Sequence, residues 1–203
     1  YQCDWSSDVC SSDLPRTAQS TTLDAARHPV ETFKFFGARR EMAMMEVWPA
    51  DTWWTEIVGP VIAEHGHYVV ALDDQTGLDT PLTDRIHALA LLYPFNFGKI
   101  DFAPFGPPLL MHPAPQDSLD LAFTFDGLHR ALSDVRVSML SGIFSTLKPG
   151  GAFGVVEVRT AGMTEADVIK QVEQVGFKLM AKSEVNAKAA GGEPSRSTLL
   201  FQK

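Results

Sequence analysis

The chain has 203 residues, 45% of them hydrophobic, and a formal net charge of −8, which is enough apolar material for one domain with a buried core. Its acidity, with Arg39-Arg40 as the only basic pair, excludes the positive footprint of a nucleic-acid-binding surface. No apolar run approaches the ~20 residues that a membrane-spanning helix needs, so a soluble chain of the cytoplasm or periplasm is expected.

In chain order the first segment is Asp4-Trp-Ser-Ser-Asp-Val-Cys-Ser-Ser-Asp-Leu14, which repeats Ser-Ser-Asp and has no amphipathic period. It reads as a translated sequencing adapter. Residues 1–14 are expected to be a non-native leader standing where a native N-terminus and any signal peptide would be, and residues 15–203 a single domain. Both cysteines, Cys3 and Cys10, fall in the leader. The remainder therefore offers no disulfide, no thiolate metal site and no cysteine nucleophile. Setting aside Asp4, Asp8 and Asp13 leaves 17 basic against 22 acidic residues.

Arg27 to Phe36 predicts a short helix, with Pro29 in its first turn and Gly37 as its stop. A first strand over Met42 to Trp48 leads through Pro49-Ala50-Asp51-Thr52 into an amphipathic helix from about Thr52 to Glu64. His67 to Leu72 is a second, buried strand ending at Asp73-Asp74 and a polar turn. Leu82 to Leu92 is helical. Lys99 to Phe102 is a short third strand that opens a proline-rich loop, and Leu119 to Phe125 is a fourth. A helix over Val135 to Leu147 stops at Lys148-Pro-Gly-Gly151, and Ala152 to Glu157 is a fifth strand. Thr164 caps a helix over Glu165 to Val175. Two strands, Phe177 to Val185 and Ser197 to Phe201, then follow with no helix between them. Strands alternating with helices imply a parallel sheet. The final two must pair antiparallel, because a parallel pair needs a long crossover.

That outline, an α/β Rossmann-like sheet with helices on both faces and a C-terminal antiparallel hairpin, resembles the class I S-adenosylmethionine-dependent methyltransferase fold. Particular motifs carry the resemblance further. Arg27-His-Pro-Val-Glu-Thr-Phe-Lys-Phe-Phe-Gly37, Glu46-Val-Trp-Pro49, Trp53-Trp-Thr-Glu-Ile-Val-Gly-Pro60 and Leu147-Lys-Pro-Gly-Gly-Ala-Phe-Gly-Val-Val-Glu157 are similar to a family of bacterial predicted methyltransferases. The similarity runs from about residue 25 through most of the chain. It also has departures. The family carries three glycines after the proline where this chain has Ala50-Asp51-Thr52, and of the family's motif after the fourth strand only His129 is kept.

The resemblance implies S-adenosyl-L-methionine as cofactor and a small-molecule acceptor as partner. Glu46 then orients the methionine part, Asp73 at the end of the second strand accepts from the ribose hydroxyls, and Asp101-Phe102 border the adenine. Asp74 competes with Asp73 for that role. Thr124 and Phe125 lie beneath the sulfonium, and Pro49, Ala50, Asp51 and Thr52 form the cofactor turn. His129 is the candidate general acid or base. Each has a plainer reading, as strand-end carboxylate, turn residue, core aromatic or surface histidine. His65-Gly-His67 has no evident third ligand, so no metal is expected.

Glycines serve such a turn because backbone must approach the ligand with no Cβ in the way. Asp51 or Thr52 can instead cap the following helix and take the amides a ligand would use. Binding of S-adenosylmethionine is therefore expected to be weak or absent. Two function classes follow: a small-molecule methyltransferase, or a non-catalytic relative kept as a binding module. A nicotinamide-dependent oxidoreductase is disfavoured, because no Gly-x-Gly-x-x-Gly follows the first strand.

Overall fold

A computed structural model describes residues 16, 18–73, 81–159, 162–189 and 191–203. The leader 1–14, Asp74 and the polar turn after it lie outside the described residues. Among these, seven strands form one sheet: β1 (Ala43–Val47), β2 (His67–Leu72), β3 (Ile100–Pro104), β4 (Leu119–Phe125), β5 (Leu147–Val158), β6 (Lys178–Ser183) and β7 (Arg196–Gln202). Their order is β3-β2-β1-β4-β5-β7-β6. The first five pair in parallel, and β7 runs antiparallel to both β5 and β6. The expected terminal hairpin is thus present at one edge, with β1 and β4 in the middle.

The helices are α1 (Ala18–Thr21), α2 (Asp24–Arg27), α3 (Pro29–Phe35), α4 (Thr55–Ile62), α5 (Pro81–Leu92), α6 (Pro94–Phe97), α7 (Ser133–Thr146) and α8 (Glu165–Gln174). They cover both faces of the sheet, which is why β1, β2 and β4 read as nearly unbroken apolar runs. On one face Met44, Val70, Leu121 and Phe123 pack against α3 and α4 through Phe33, Ile57 and Val58. On the other, Met45, Phe153 and Val155 pack against α7 and α8 through Leu140, Ile143, Val168 and Val172. Phe33 is fully buried. It meets the rings of Phe36, Trp54, Phe123 and Phe125 at centroid distances of 6.1, 5.8, 5.2 and 6.1 Å, and so fastens the N-terminal helices to β4.

Of the boundaries that differ from the sequence reading, three bear on the sheet and the turn after β1. The chain makes a turn over 51–54 before α4 begins at Thr55. Lys148-Pro-Gly-Gly151 is not a gap between helix and strand but part of β5. Gly150, at φ +81, and a register shift opposite Leu119/Leu121 absorb the extra residues. The third strand runs on to Pro104, an edge position where the missing N–H is harmless.

Candidate functional site

β1 and β4 are neighbours, yet α4 leaves β1 over one face of the sheet and α7 follows β4 over the other. The carboxyl ends of these two strands therefore form the topological switch point, where open α/β sheets place ligands. Here the chain fills that point with its own side chains. Trp48, the first residue after β1, has φ +50, a conformation strained for a residue with a Cβ. Its buried indole donates from Nε1 to the Phe105 carbonyl at 2.8 Å. Arg130 donates to the Trp48 carbonyl, and Thr124 Oγ1 donates to the Val47 carbonyl at 3.0 Å.

The turn itself is equally committed. Asp51 Oδ1 accepts from the Trp53 amide at 2.8 Å, so a donor that a ligand could use is already taken by the chain. Thr52 donates to Glu56 Oε1 at 2.6 Å and accepts from Arg85 Nε at 2.9 Å. Trp54 stacks on Phe125 with centroids 3.5 Å apart and planes 4° from parallel. Pro49 is half-buried, while Ala50 is exposed.

What remains is a cavity of ≈ 30 Å³ lined by Arg27, Asp51, Trp54, Phe125, Asp126 and Arg196, among others. That is room for about two waters, whereas small-molecule sites occupy roughly 300–1,000 Å³. A larger open recess of ≈ 350 Å³ lies on the other side of Asp51, walled by Ser20, Leu23, Thr52, Trp53, Glu56 and Arg85. It touches no strand end.

The expected site residues divide into those brought to this end of the sheet and those that are not. Glu46 stands one residue before the end of β1 and is 1% exposed. Thr55 Oγ1 and Tyr68 OH donate to its Oε2 at 2.6 and 2.5 Å, and its Oε1 has no partner. Burial pushes its carboxyl up to about 7 against the two hydrogen bonds, which favour the charged form. It is therefore not the partly exposed carboxylate of the plainer reading. Asp73 follows β2 directly and is exposed. Thr124 and Phe125 end β4, both buried.

Asp101 and Phe102 are set back from this end, which weighs against the adenine role expected of them. They pair with Val69 and Val70, two to three residues before the strand ends at Leu72 and Pro104, or about 7–10 Å back along the strands. The Asp101 carboxylate instead takes His67 Nε2 at 2.7 Å, and Phe102 meets His87 edge-on. Because β3 is longer than the sequence suggested, the residue after it is Phe105.

His129 lies in the segment after β4, and its Nδ1 is in close contact with Glu157 Oε1. Glu157 is 1% exposed near the end of β5, and its Oε2 accepts from the Leu128 amide at 3.0 Å. Burial raises its carboxyl above the usual range, opposed by the contact with His129. Sequence reasoning missed Glu157 as a site residue, although a carboxylate closing the apolar run Gly154-Val-Val was a usable signal. It also missed Arg27, Asp126, Glu193 and Arg196. Asp126, at φ +55, takes both Nε and Nη2 of Arg196. Asp126 and Arg196 are 70 residues apart and Arg27 and Glu193 166, so no local pattern announces these pairs; only Glu193 and Arg196, at i,i+3, are near in sequence. Among the described residues no group of three His, Cys, Asp or Glu is placed to hold a metal ion. None of their helices is long and apolar enough to cross a membrane.

No protein-family model matches the chain, and no curated protein matches its sequence. Its fold is that of class I S-adenosylmethionine-dependent methyltransferases. A SAM-dependent methyltransferase from Aquifex aeolicus superposes with a TM-score of 0.68 at 13% identity, over 89% of this chain and 92% of that one. The Burkholderia thailandensis 1,6-didemethyltoxoflavin-N1-methyltransferase, solved with 1,6-didemethyltoxoflavin and S-adenosylhomocysteine, gives 0.62 at 15%, over 92% and 81%. The [4+2]-cyclase SpnF gives 0.65 at 14%, over 95% and 84%. One fold thus carries more than one chemistry.

Proposed function

We propose that the chain is an S-adenosylmethionine-dependent methyltransferase of small molecules whose donor turn has lost most of its affinity. The observation that carries this reading is the His129–Glu157 pair, set at the ends of β4 and β5 beside the switch point of a methyltransferase fold. A buried carboxylate against Nδ1 fixes the orientation of the ring. Nε2 makes no hydrogen bond among the described residues, and the His129 side chain is 26% exposed. The pair supplies what the acceptor side of a methyl transfer asks of a protein: a positioned group that takes a proton from a hydroxyl or amine. Glu157 acts through His129 as its positioning residue. Of the cofactor-binding candidates, Glu46, Pro49, Ala50, Asp51, Thr52, Asp73, Thr124 and Phe125 remain proposals for the donor side.

A second reading, a binding module without catalysis, is favoured by the Trp48 indole and the Trp54–Phe125 stack that close the crevice. Calorimetric titration with S-adenosylhomocysteine separates the two. The titration is run on the chain and on a variant with Ala50→Gly, Asp51→Gly and Thr52→Gly together. Weak binding that strengthens at least tenfold in the variant, about 1.4 kcal/mol, supports the first reading. Low-micromolar binding by both proteins would leave the methyltransferase and remove the loss of affinity. If neither protein takes up the ligand at millimolar concentration, the binding module stands.

A further inference from the structure

Arg27, at the end of α2, and Arg196, at the start of β7, converge on a single carboxylate. Arg27 Nη2 donates to Glu193 Oε1 at 3.0 Å, and Arg196 Nη2 lies 2.7 Å from Glu193 Oε2. One oxygen thus serves each guanidinium. The three side chains are only 14%, 12% and 13% exposed. Both arginines line the ≈ 30 Å³ cavity, whose apolar wall is Trp54, Phe125 and Val156, but Glu193 does not. It reaches the cavity only through the two arginines that it holds. Glu193 also follows Gly191 and Gly192, at φ +55 and +85, and a Cβ on Gly192 would meet nothing within 4 Å. The carboxylate is thus carried just after two positive-φ glycines, with its side chain folded inward onto the two arginines.

We infer that Glu193 stands in for the carboxylate of a ligand, and that with Glu193 withdrawn this cavity binds a small carboxylic acid with an apolar body. Two guanidinium donors, one per oxygen, match a planar carboxylate. Withdrawing Glu193 leaves Arg196 Nη2 with Asp126 alone and takes from Arg27 Nη2 its acceptor, in a mostly buried place where an unpaired donor is costly. Arg27 Nε is already buried with no partner, which adds to the demand for an anion. Asp51 and Asp126 hold the outer faces of the two guanidinium groups, so a singly charged carboxylate suits the site better than a dianionic phosphate. An apolar wall with a few converging polar groups is the usual make-up of a ligand site. Naming this ligand as the methyl acceptor rests on the function proposed above. The binding itself does not.

The test uses propionate, whose two-carbon body suits a cavity of this size, as probe and propionamide as its uncharged counterpart, titrated into the full chain and into Glu193→Ala without any methyl donor. Propionate is expected to bind at least tenfold tighter to Glu193→Ala than to the unaltered chain, and propionamide to show no such gain. Adding Arg196→Gln to Glu193→Ala should abolish the gain. Equal gains for propionate and propionamide, or no gain for propionate, would overturn the inference. Should Glu193→Ala fail to fold, Glu193→Gln, which keeps the shape and loses the charge, carries the same comparison with a smaller expected gain. Because no donor is present, a failure of S-adenosylhomocysteine binding leaves this outcome untouched.

Discussion

Replacing Glu46 with Gln should make the stability of the protein respond differently to pH, with a size that follows from where Glu46 sits. Its carboxyl is raised from the ordinary 4.5 to about 7, chiefly by burial. A raised carboxyl contributes stability that is fully present below the unfolded-state value and is lost as pH rises through the folded-state value. The difference caps the effect at about 3.4 kcal/mol, at 1.36 kcal/mol per pH unit, of which roughly 2.5 kcal/mol falls between pH 5 and pH 8. The unaltered chain should therefore lose stability over that interval in a way that Glu46→Gln does not. The amide accepts from Thr55 and Tyr68 as the acid does, but it places an NH₂ where Oε1 has no partner. That costs about 1–3 kcal/mol at both pH values and cancels in the comparison. Urea unfolding of both proteins at pH 5 and pH 8 measures the double difference. A stability gap between them that is the same at both pH values would refute the assignment of a buried, raised carboxyl.

Three further outcomes are expected. Phe33→Ala removes the ring at the centre of four aromatic contacts and should lower the unfolding free energy by about 3–5 kcal/mol in urea titrations. Thr164→Ala removes the capping box that Thr164 forms with Asp167, which costs about 1 kcal/mol and should lower the melting temperature by roughly 2–4 °C. Deleting residues 1–14, the proposed non-native leader, should leave the melting temperature unchanged in calorimetry, and a fall of several degrees would make that segment structural.

Much of the fold was legible because it depends on local patterning. The spans His67–Leu72 and Leu119–Phe125 are mostly apolar, broken in the second only by Asp120 and Thr124, and they coincide with β2 and β4. The antiparallel hairpin followed from loop length alone. Lys99-Ile-Asp-Phe102 misled because Pro104 reads as a breaker, although an edge strand tolerates it, and the site assignment shifted with the strand end. The capping role foreseen for Asp51 survives in altered form, since its side chain takes the Trp53 amide inside the turn rather than at the first residue of α4. What was illegible is long-range. Glu157 finds His129 across two parallel strands, and Glu193 finds Arg27 across most of the chain. The filling of the crevice by Trp48 depends on a carbonyl 57 residues away, at Phe105.

The position of β7 has a consequence for how the protein comes into being. It is the last strand in chain order but lies between β5 and β6 in the sheet. Every ladder partner of β6 belongs to β7. A nascent chain can therefore assemble β3, β2, β1, β4 and β5 while the ribosome is still working. The edge of β5 then stays open, with the backbone groups from Ala152 to Val158 unpaired, and such an edge is a template for pairing with other chains. Synthesis that stalls before residue 196 leaves this edge open for good, and β6 has nothing to join. The seven residues of β7 close the sheet from within, so the product becomes safe from its neighbours only once a strand made after all the others has been threaded between two of them.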